Sequence, residues 1–468
     1  MLKKPVAFAV ACAFSGAAAA NDPDLAAIKR QIEEMKQSYE QRIAKLESKL
    51  ASAEAKAERA DQQASAVSAA VAAKPAPAAS RFNPEVSLIL QGKYLSAKNI
   101  DERGATGFWK AGGHDDHDHG HGLKRGWSAD HTELVLSASV DPYWRGQAIL
   151  GVADGEVEVE EAWFQATGLG QGFGLKGGRF RSGIGYLNEQ HAHAWDFADA
   201  PLVYQTLFGT YGSYAQDGIQ LKWLAPTPIF LEFGAEVGRG HNFPGSDRNK
   251  NGSGAGAVFA SIGGDVGVAH SWRAGLSYLR TATRERETEM LDNGGLDAHG
   301  EFAGRSRTWG ANLVWKWAPD GNPKYRNFKF QTEYFQRRER GMLECHEEDS
   351  NGAACDGVSD TYRRNQSGWY AQAVYQFTPN WRLGYRYDRL HSGTPRIGGA
   401  LAASIDTGSD IFVNFRPTRH SAMVDYSWSE FSRVRLQFAR DRSMQGVTDN
   451  QVTVQYIMSL GAHGAHKF

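Results

Sequence analysis

The stretch Trp381–Leu390, WRLGYRYDRL, decides how the chain is read. Trp381, Leu383, Tyr385 and Tyr387 alternate with Arg382, Gly384, Arg386 and Asp388. A period of two sends these two sets to opposite faces of a strand. One face is aromatic and apolar, the other charged, so this strand separates oil from water. VRLQFA at 434–439 repeats the pattern. Segments of the same kind recur around 85–94, 132–140, 143–153, 156–167, 173–183, 214–224, 229–238, 256–266, 271–281, 306–317, 327–338, 368–377, 381–391, 420–428, 432–442 and 451–460.

The connections between these segments sort by parity. Those after even-numbered segments are short: Asp141-Pro142, GLGQG, APTP, DVGVAH, APDGNPKYR, TPN and SEF. Those after odd-numbered segments are mostly long, with ADGE after the third as the exception. Short turns at one end and long loops at the other are the signature of a barrel that crosses an outer membrane. The composition agrees: 52 glycines, 13 tryptophans and 17 tyrosines suit a barrel with aromatic girdles. The expected fold is all-β: a transmembrane antiparallel β-barrel of about 16 strands, preceded by an α-helical coiled coil. A formal charge of -1 gives no basis for nucleic-acid binding.

The chain opens MLKKPVAFAVACAFSGAAAAND, which reads as a signal peptide over 1–20 with cleavage between Ala20 and Asn21. A lipoprotein anchor through Cys12 is the alternative. Over 21–63, Leu25, Ile28, Ile32, Met35, Tyr39, Ile43, Leu46, Leu50, Ala53, Ala57 and Ala60 form a heptad seam with one stutter. One such helix per chain implies a homo-oligomer. Residues 64–80 are an Ala/Pro linker, and 81–468 form the barrel. Phe468 ends an alternating last strand, resembling the signal read by the barrel-assembly machinery.

Signal peptide, coiled coil, spacer and barrel together resemble the phosphate-selective porin family, which implies a trimer with a periplasmic coiled coil. FNPEVSLILQG, VEVEEAWFQ, GRFRSGIGYLNEQHAHAWDFADAPLVY and QYIMSLGAHGAHKF resemble bacterial outer-membrane proteins labelled zinc-regulated TonB-dependent receptors. Such a receptor needs a plug. The segment Asn21–Ser80, already used by coiled coil and spacer, is too short for one, so passive diffusion through a water-filled lumen is the expected mechanism.

Candidate chemistry falls in four places. GGHDDHDHGHG at 112–122 presents His114, Asp115, Asp116, His117, Asp118, His119 and His121 in the first outer loop, a donor set for zinc, copper or nickel or else a solvated tip. The third outer loop carries Glu189, His191, His193, Asp196 and Asp199, at the position where porins fold a loop inward to narrow the pore. Trp195, Phe197, Leu202, Tyr204 and Phe208 of this loop are equally suited to packing it on the wall. Arg145, Arg179, Arg181, Arg382, Arg386, Arg433 and Arg435 are placed on lumen faces, either as an anion-attracting ring or paired with Glu156, Glu158, Glu160 and other lumen carboxylates. Cys345 and Cys355 suit a local disulfide, with a metal-binding pair as the alternative.

No H-E-x-x-H, G-x-S-x-G or P-loop is present, so no enzyme is expected. The resulting expectation is an outer-membrane porin in a Gram-negative bacterium, trimeric and contacting lipid. It needs no cofactor, and zinc or another divalent metal is its possible cargo. An anion or phosphate pore and an adhesive barrel with a closed lumen are the alternatives.

Overall fold

The computed structural model describes residues 84–100, 103–109, 124–129, 131–153, 156–209, 212–347 and 352–461, with helical positions scattered between 30 and 48. The signal peptide, the linker, most of the coiled-coil seam, the His/Asp run at 112–122 and Phe468 lie outside the described residues. The chain divides into two units, Met1–Arg81 and Phe82–Phe468.

The second unit contains strands β1 (Glu85–Ser96), β2 (Gly126–Ser128), β3 (Thr132–Ser139), β4 (Trp144–Ala153), β5 (Glu156–Ala166) and β6 (Phe173–Arg181). Then come β7 (Ala215–Leu224), β8 (Phe230–Gly238), β9 (Ala255–Val266), β10 (His270–Leu291), β11 (Asp297–Trp317) and β12 (Asn327–Glu347). The last are β13 (Ser359–Gln376), β14 (Trp381–His391), β15 (Arg396–Ile397), β16 (Thr418–Ser429), β17 (Ser432–Arg442) and β18 (Asp449–Gly461). Apart from the short β2 and β15, each strand pairs antiparallel with its sequence neighbours, and β1 pairs β18 from Ser87↔Gly461 to Ser96↔Val452. The sheet is therefore a closed barrel of 16 staves. Closure removes the edges that lipid could not solvate.

Alternation sets the two faces. In β14, Leu383 and Tyr385 are exposed on the outside while Arg386 and Asp388 are buried on the inside. Outside, an apolar band is flanked by aromatic rows, with Trp381, Tyr426, Trp428 and Tyr456 in mutual contact at the short-turn end. Tyr278 and Trp309, centroids 4.4 Å apart, stand higher up. Such a face suits hydrocarbon between two interfaces.

Four strands run further than the sequence pattern suggests. β10 continues past Thr281 to Leu291, β11 begins at Asp297 instead of Ser306, β12 continues past Arg338 to Glu347, and β13 begins at Ser359 instead of Gly368. These extensions, such as TRERETEM at 283–290, carry polar residues on both faces among a few apolar ones, so no apolar period marks them. Their inner face nevertheless buries Met290, Phe302, Leu343 and Tyr362 against Trp109, Leu401, Ile405 and Phe412 from the long loops. The Cys345–Cys355 disulfide, Cα atoms 5.6 Å apart, is buried in this cluster.

Leu276 is 68 % exposed on the outer face between the aromatic rows. Leu276→Arg should reduce the barrel's unfolding free energy in vesicles by about 2–4 kcal/mol if the site is near the bilayer midplane. Unchanged urea unfolding would show that this face does not meet lipid.

Candidate functional site

After β6 the chain turns into the lumen instead of staying outside. The turn begins at Gly183 and Gly185, where Gly185 has φ +71 and a Cβ would collide with the Tyr204 hydroxyl and the Glu333 carboxylate. Beyond it, Ile184, Leu187, Trp195 and the short helix α1 (Leu202–Leu207) bury against Leu279, Phe335, Tyr370 and Leu390 of the inner wall. These apolar residues are what draws the loop in.

A loop inside a barrel must satisfy its backbone there. Glu333 of β12 accepts hydrogen bonds from the backbone N–H of Tyr186 (2.7 Å) and Leu187 (3.0 Å) and from the hydroxyls of Tyr204 (2.9 Å) and Tyr370 (2.6 Å). Asp388 accepts the Leu202 N–H at 2.9 Å, at the start of α1. Glu236 takes the Gly183 N–H at 2.8 Å and the Ser182 hydroxyl at 2.6 Å.

Charge locks the next part of the loop. Asp196 pairs with Lys329 at 3.0 Å and Arg382 at 3.1 Å, and Asp199 pairs with Arg386 at 3.0 Å and Arg419 at 2.9 Å. Burial alone raises the Asp199 carboxyl, but the guanidiniums of Arg386 and Arg419 outweigh it and hold the group at about 2. Asp196 is likewise depressed by Lys329 and Arg382 against the effect of burial. Arg433 and Arg435 donate to the backbone oxygens of His193 (2.8 Å) and Trp195 (3.0 Å). With Arg181, which donates to the Gln190 carbonyl at 2.6 Å, five of the seven arginines picked out by sequence, Arg181, Arg382, Arg386, Arg433 and Arg435, thus grip one loop. Arg145 shares the inner face of β4 with Gln147 and Ile149, near the short-turn end.

Arg179 corrects the expectation of a lumen position. It stands opposite Asp217 and pairs with it at 2.8 Å, and Asp217 shares the face of Ile219 and Leu221, which are exposed to the outside. Strand alternation allows no other side for it. Arg181, at the end of β6, reaches inward to Glu160 at 2.5 Å. The pairing with Glu160 is as expected, and the other lumen arginines add Asp196, Asp199, Asp388 and Asp425 as partners.

His191 and His193 face a different wall. The His191 Nδ1 lies 3.1 Å from Glu133 and 3.2 Å from Glu160, and its Nε2 lies 2.8 Å from Glu161. The His193 Nδ1 lies 3.1 Å from Glu133, and the two imidazoles stack with centroids 5.9 Å apart. His131 contacts Glu160, and donor atoms of His131, Glu133 and Glu160 all fall within 4.8 Å of one another. Three histidines and three glutamates therefore converge on one pocket, with Arg181 as its near cation.

Two atoms stand out in this group. The Glu133 carboxylate is fully buried, and its Oε2 and the facing His191 Nδ1 make no hydrogen bond although they are 3.1 Å apart. Burial and the Arg181 charge favour a neutral His191 ring, but the neighbouring Glu133 and Glu160 carboxylates outweigh both and lift its titration well above the usual imidazole range. A tetrahedral divalent ion with ligands at about 2.0–2.1 Å spaces them about 3.3–3.4 Å apart, close to the contacts present here. The donor chemistry, imidazole with carboxylate and an excess of negative charge, fits such an ion.

His131, Glu133 and Glu161 were not picked out by sequence. The key device is a bulge: Ile149 pairs Glu161 while Leu150 pairs Val159, so Glu160 is inserted and both glutamates turn inward. Glu189 lies elsewhere, on Lys222 at 2.9 Å.

Asp199→Asn should weaken docking of the loop by about 1.5–3 kcal/mol through loss of charged hydrogen bonds. Limited proteolysis within 189–209 should then accelerate in a barrel that otherwise resists. Because the folded carboxyl titrates below its unfolded value, the wild-type contribution is present above about pH 4 and fades as pH falls through about 2. Equal cleavage of wild type and variant at neutral pH would reject the anchoring role.

No family model matches the chain. An uncharacterized protein of Aquifex aeolicus (strain VF5) is 32 % identical over 410 residues, covering 83 % of this chain and 80 % of its own. Among solved structures, a loop L8 deletion mutant of OmpT, an outer membrane protein of Vibrio cholerae, aligns at TM-score 0.48 and 10 % identity over 81 % of this chain and 99 % of its own. OprB of Pseudomonas putida aligns at 0.45 and 12 % identity over 81 % and 94 %. An anion-selective porin from Comamonas acidovorans aligns at 0.44 and 9 % over 81 % and 99 %.

Proposed function

This chain belongs to the same family as the uncharacterized protein of Aquifex aeolicus, and we propose that it is an outer-membrane channel of the porin kind, passing small solutes by diffusion and favouring divalent metal ions, zinc first. The role is transport, not catalysis. The observation that carries the cation preference is the convergence of His131, His191 and His193 with Glu133, Glu160 and Glu161 on an inward-folded loop. The lumen arginines support it from the other side. Arg382, Arg386 and Arg435 are each committed to aspartates, so they offer no free ladder for anions.

The proposal includes a trimer joined by the helical seam over 25–60, with the short turns in the periplasm. It also assigns the His/Asp run at 112–122 to gathering ions at the outer mouth. Both extend the sequence reading.

Planar-bilayer recording tests the central part. The purified protein should give single-channel steps that micromolar zinc reduces, and His131→Ala/His191→Ala should weaken zinc block by at least roughly tenfold while keeping the steps. Anion preference with block by phosphate would establish the phosphate-pore alternative. Absence of any conductance would favour an adhesive barrel with a closed lumen.

A further inference from the structure

The outer surface of β10–β13 carries a charged patch that takes no part in the lumen. Arg280, Arg307 and Arg338 stand opposite one another through the pairings Arg280↔Arg307 and Arg307↔Arg338. Two residues further towards the long-loop end, Arg305, Arg340 and Arg363 form a second row through Arg305↔Arg340 and Arg340↔Arg363. All six are exposed. With strands about 4.8 Å apart and about 6.7 Å per two-residue step, the six positions form a compact grid.

Like charges directly opposite one another destabilise a sheet, and arginine on a lipid-facing wall is tolerated only near an interface. Among the described residues no carboxylate is within ion-pair distance of these six. Outward in this region Arg284 pairs with Glu285, and the carboxylates Glu287, Glu301 and Glu344 form their own row two steps beyond Arg305 and Arg340, with His346 as the near partner of Glu301 and Glu344. The described residues therefore leave the grid open to an anionic ligand. Immediately below the grid lie Tyr278 and Trp309, followed by Leu276 and Leu313 of the apolar band. A cleft of about 470 Å³ opens between these two zones, lined by Tyr278, Trp309, Arg305, Arg307, Arg338 and Arg340.

We propose that this cleft binds a phosphorylated glycolipid of the outer leaflet. Its phosphate groups sit on the arginine grid, and its acyl chains run down over Tyr278, Trp309, Leu276 and Leu313. Guanidinium suits the task because its planar fork grips phosphate oxygens in pairs. Charge and apolar surface stack in the order in which such a lipid presents phosphate and chain. The assignment rests on the long loops marking the outer end of the barrel.

The test uses the full chain in neutral detergent, with native mass spectrometry reading binding of diphosphoryl lipid A, its dephosphorylated form and phosphatidylglycerol. Diphosphoryl lipid A should bind, and the variant R305Q/R307Q/R338Q/R340Q should lose at least about tenfold in affinity, with the corresponding four-lysine variant intermediate. Heat-modifiability on gels checks that each variant is folded. Equal binding by wild type and the glutamine variant, or equal binding of phosphatidylglycerol, would overturn the proposal. Cross-linking that shows a second copy covering the grid would overturn it as well. Orientation is tested separately by Asn293→Cys in whole cells with an impermeant maleimide. Labelling without lipid binding defeats the lipid assignment alone; lipid binding without labelling defeats the orientation on which it rests.

Discussion

The constraint beneath everything else is that a sheet in hydrocarbon can leave no backbone group unpaired. Each such group costs several kcal/mol, so β1 must find β18. Once that seam closes, every strand has a fixed outside and a fixed inside, and a barrel of this circumference encloses more space than its own side chains fill. What enters that space must bring its own hydrogen-bond partners. The inward loop does so with the Glu333, Asp388 and Glu236 carboxylates, which accept its N–H and hydroxyl groups as a neighbouring strand would.

The ion pairs in the lumen are better understood as setting geometry than as adding stability. A buried pair gives back much of its attraction as lost hydration, so its net contribution is small, whereas breaking one partner is costly. Asp196 and Asp199 between Lys329, Arg382, Arg386 and Arg419 therefore specify where the loop sits more than how firmly the barrel holds. The apolar contacts of Leu202, Val203, Tyr204 and Leu207, all nearly fully buried, supply the larger favourable term.

What could be read from sequence followed from how one-sided each segment was. Trp381–His391 and Ser432–Arg442 expose apolar residues on one face and bury charges on the other, so their bounds were legible to the residue. The upper halves of β10–β13 were not, because their outer face is polar and their inner face mixes Thr283, Arg286 and Thr288 with Met290, Phe302 and Leu343, so no regular apolar period is left to read. The bulge in β5 did leave a trace. Val157 and Val159 hold one parity and Ala162 and Phe164 the other, with the switch at Glu160-Glu161. A change of apolar parity across two like residues is what one inserted residue must produce. Arg179 was misplaced for a related reason: near Gly177 and Gly178 the strand has little side-chain contrast, and only its pairing with Asp217 fixes the face.

The charges of the loop and of its surroundings imply one orientation. Residues 191–199 run from a wall of carboxylates, Glu133 on β3 and Glu160 and Glu161 on β5, to a wall of guanidiniums on β14, β16 and β17. The loop places imidazoles at the first end and carboxylates at the second, and His193 spans the join, its ring on Glu133 and its carbonyl oxygen on Arg433. A reversed loop would set Asp196 and Asp199 against three glutamates and cost Lys329, Arg382, Arg386 and Arg419 their carboxylate contacts with the loop. The polar ends of the loop thus choose the register that the apolar middle only permits. The same arrangement gathers three glutamates, three imidazoles and Arg181 at one end of the loop and leaves the other end to aspartate–arginine pairs.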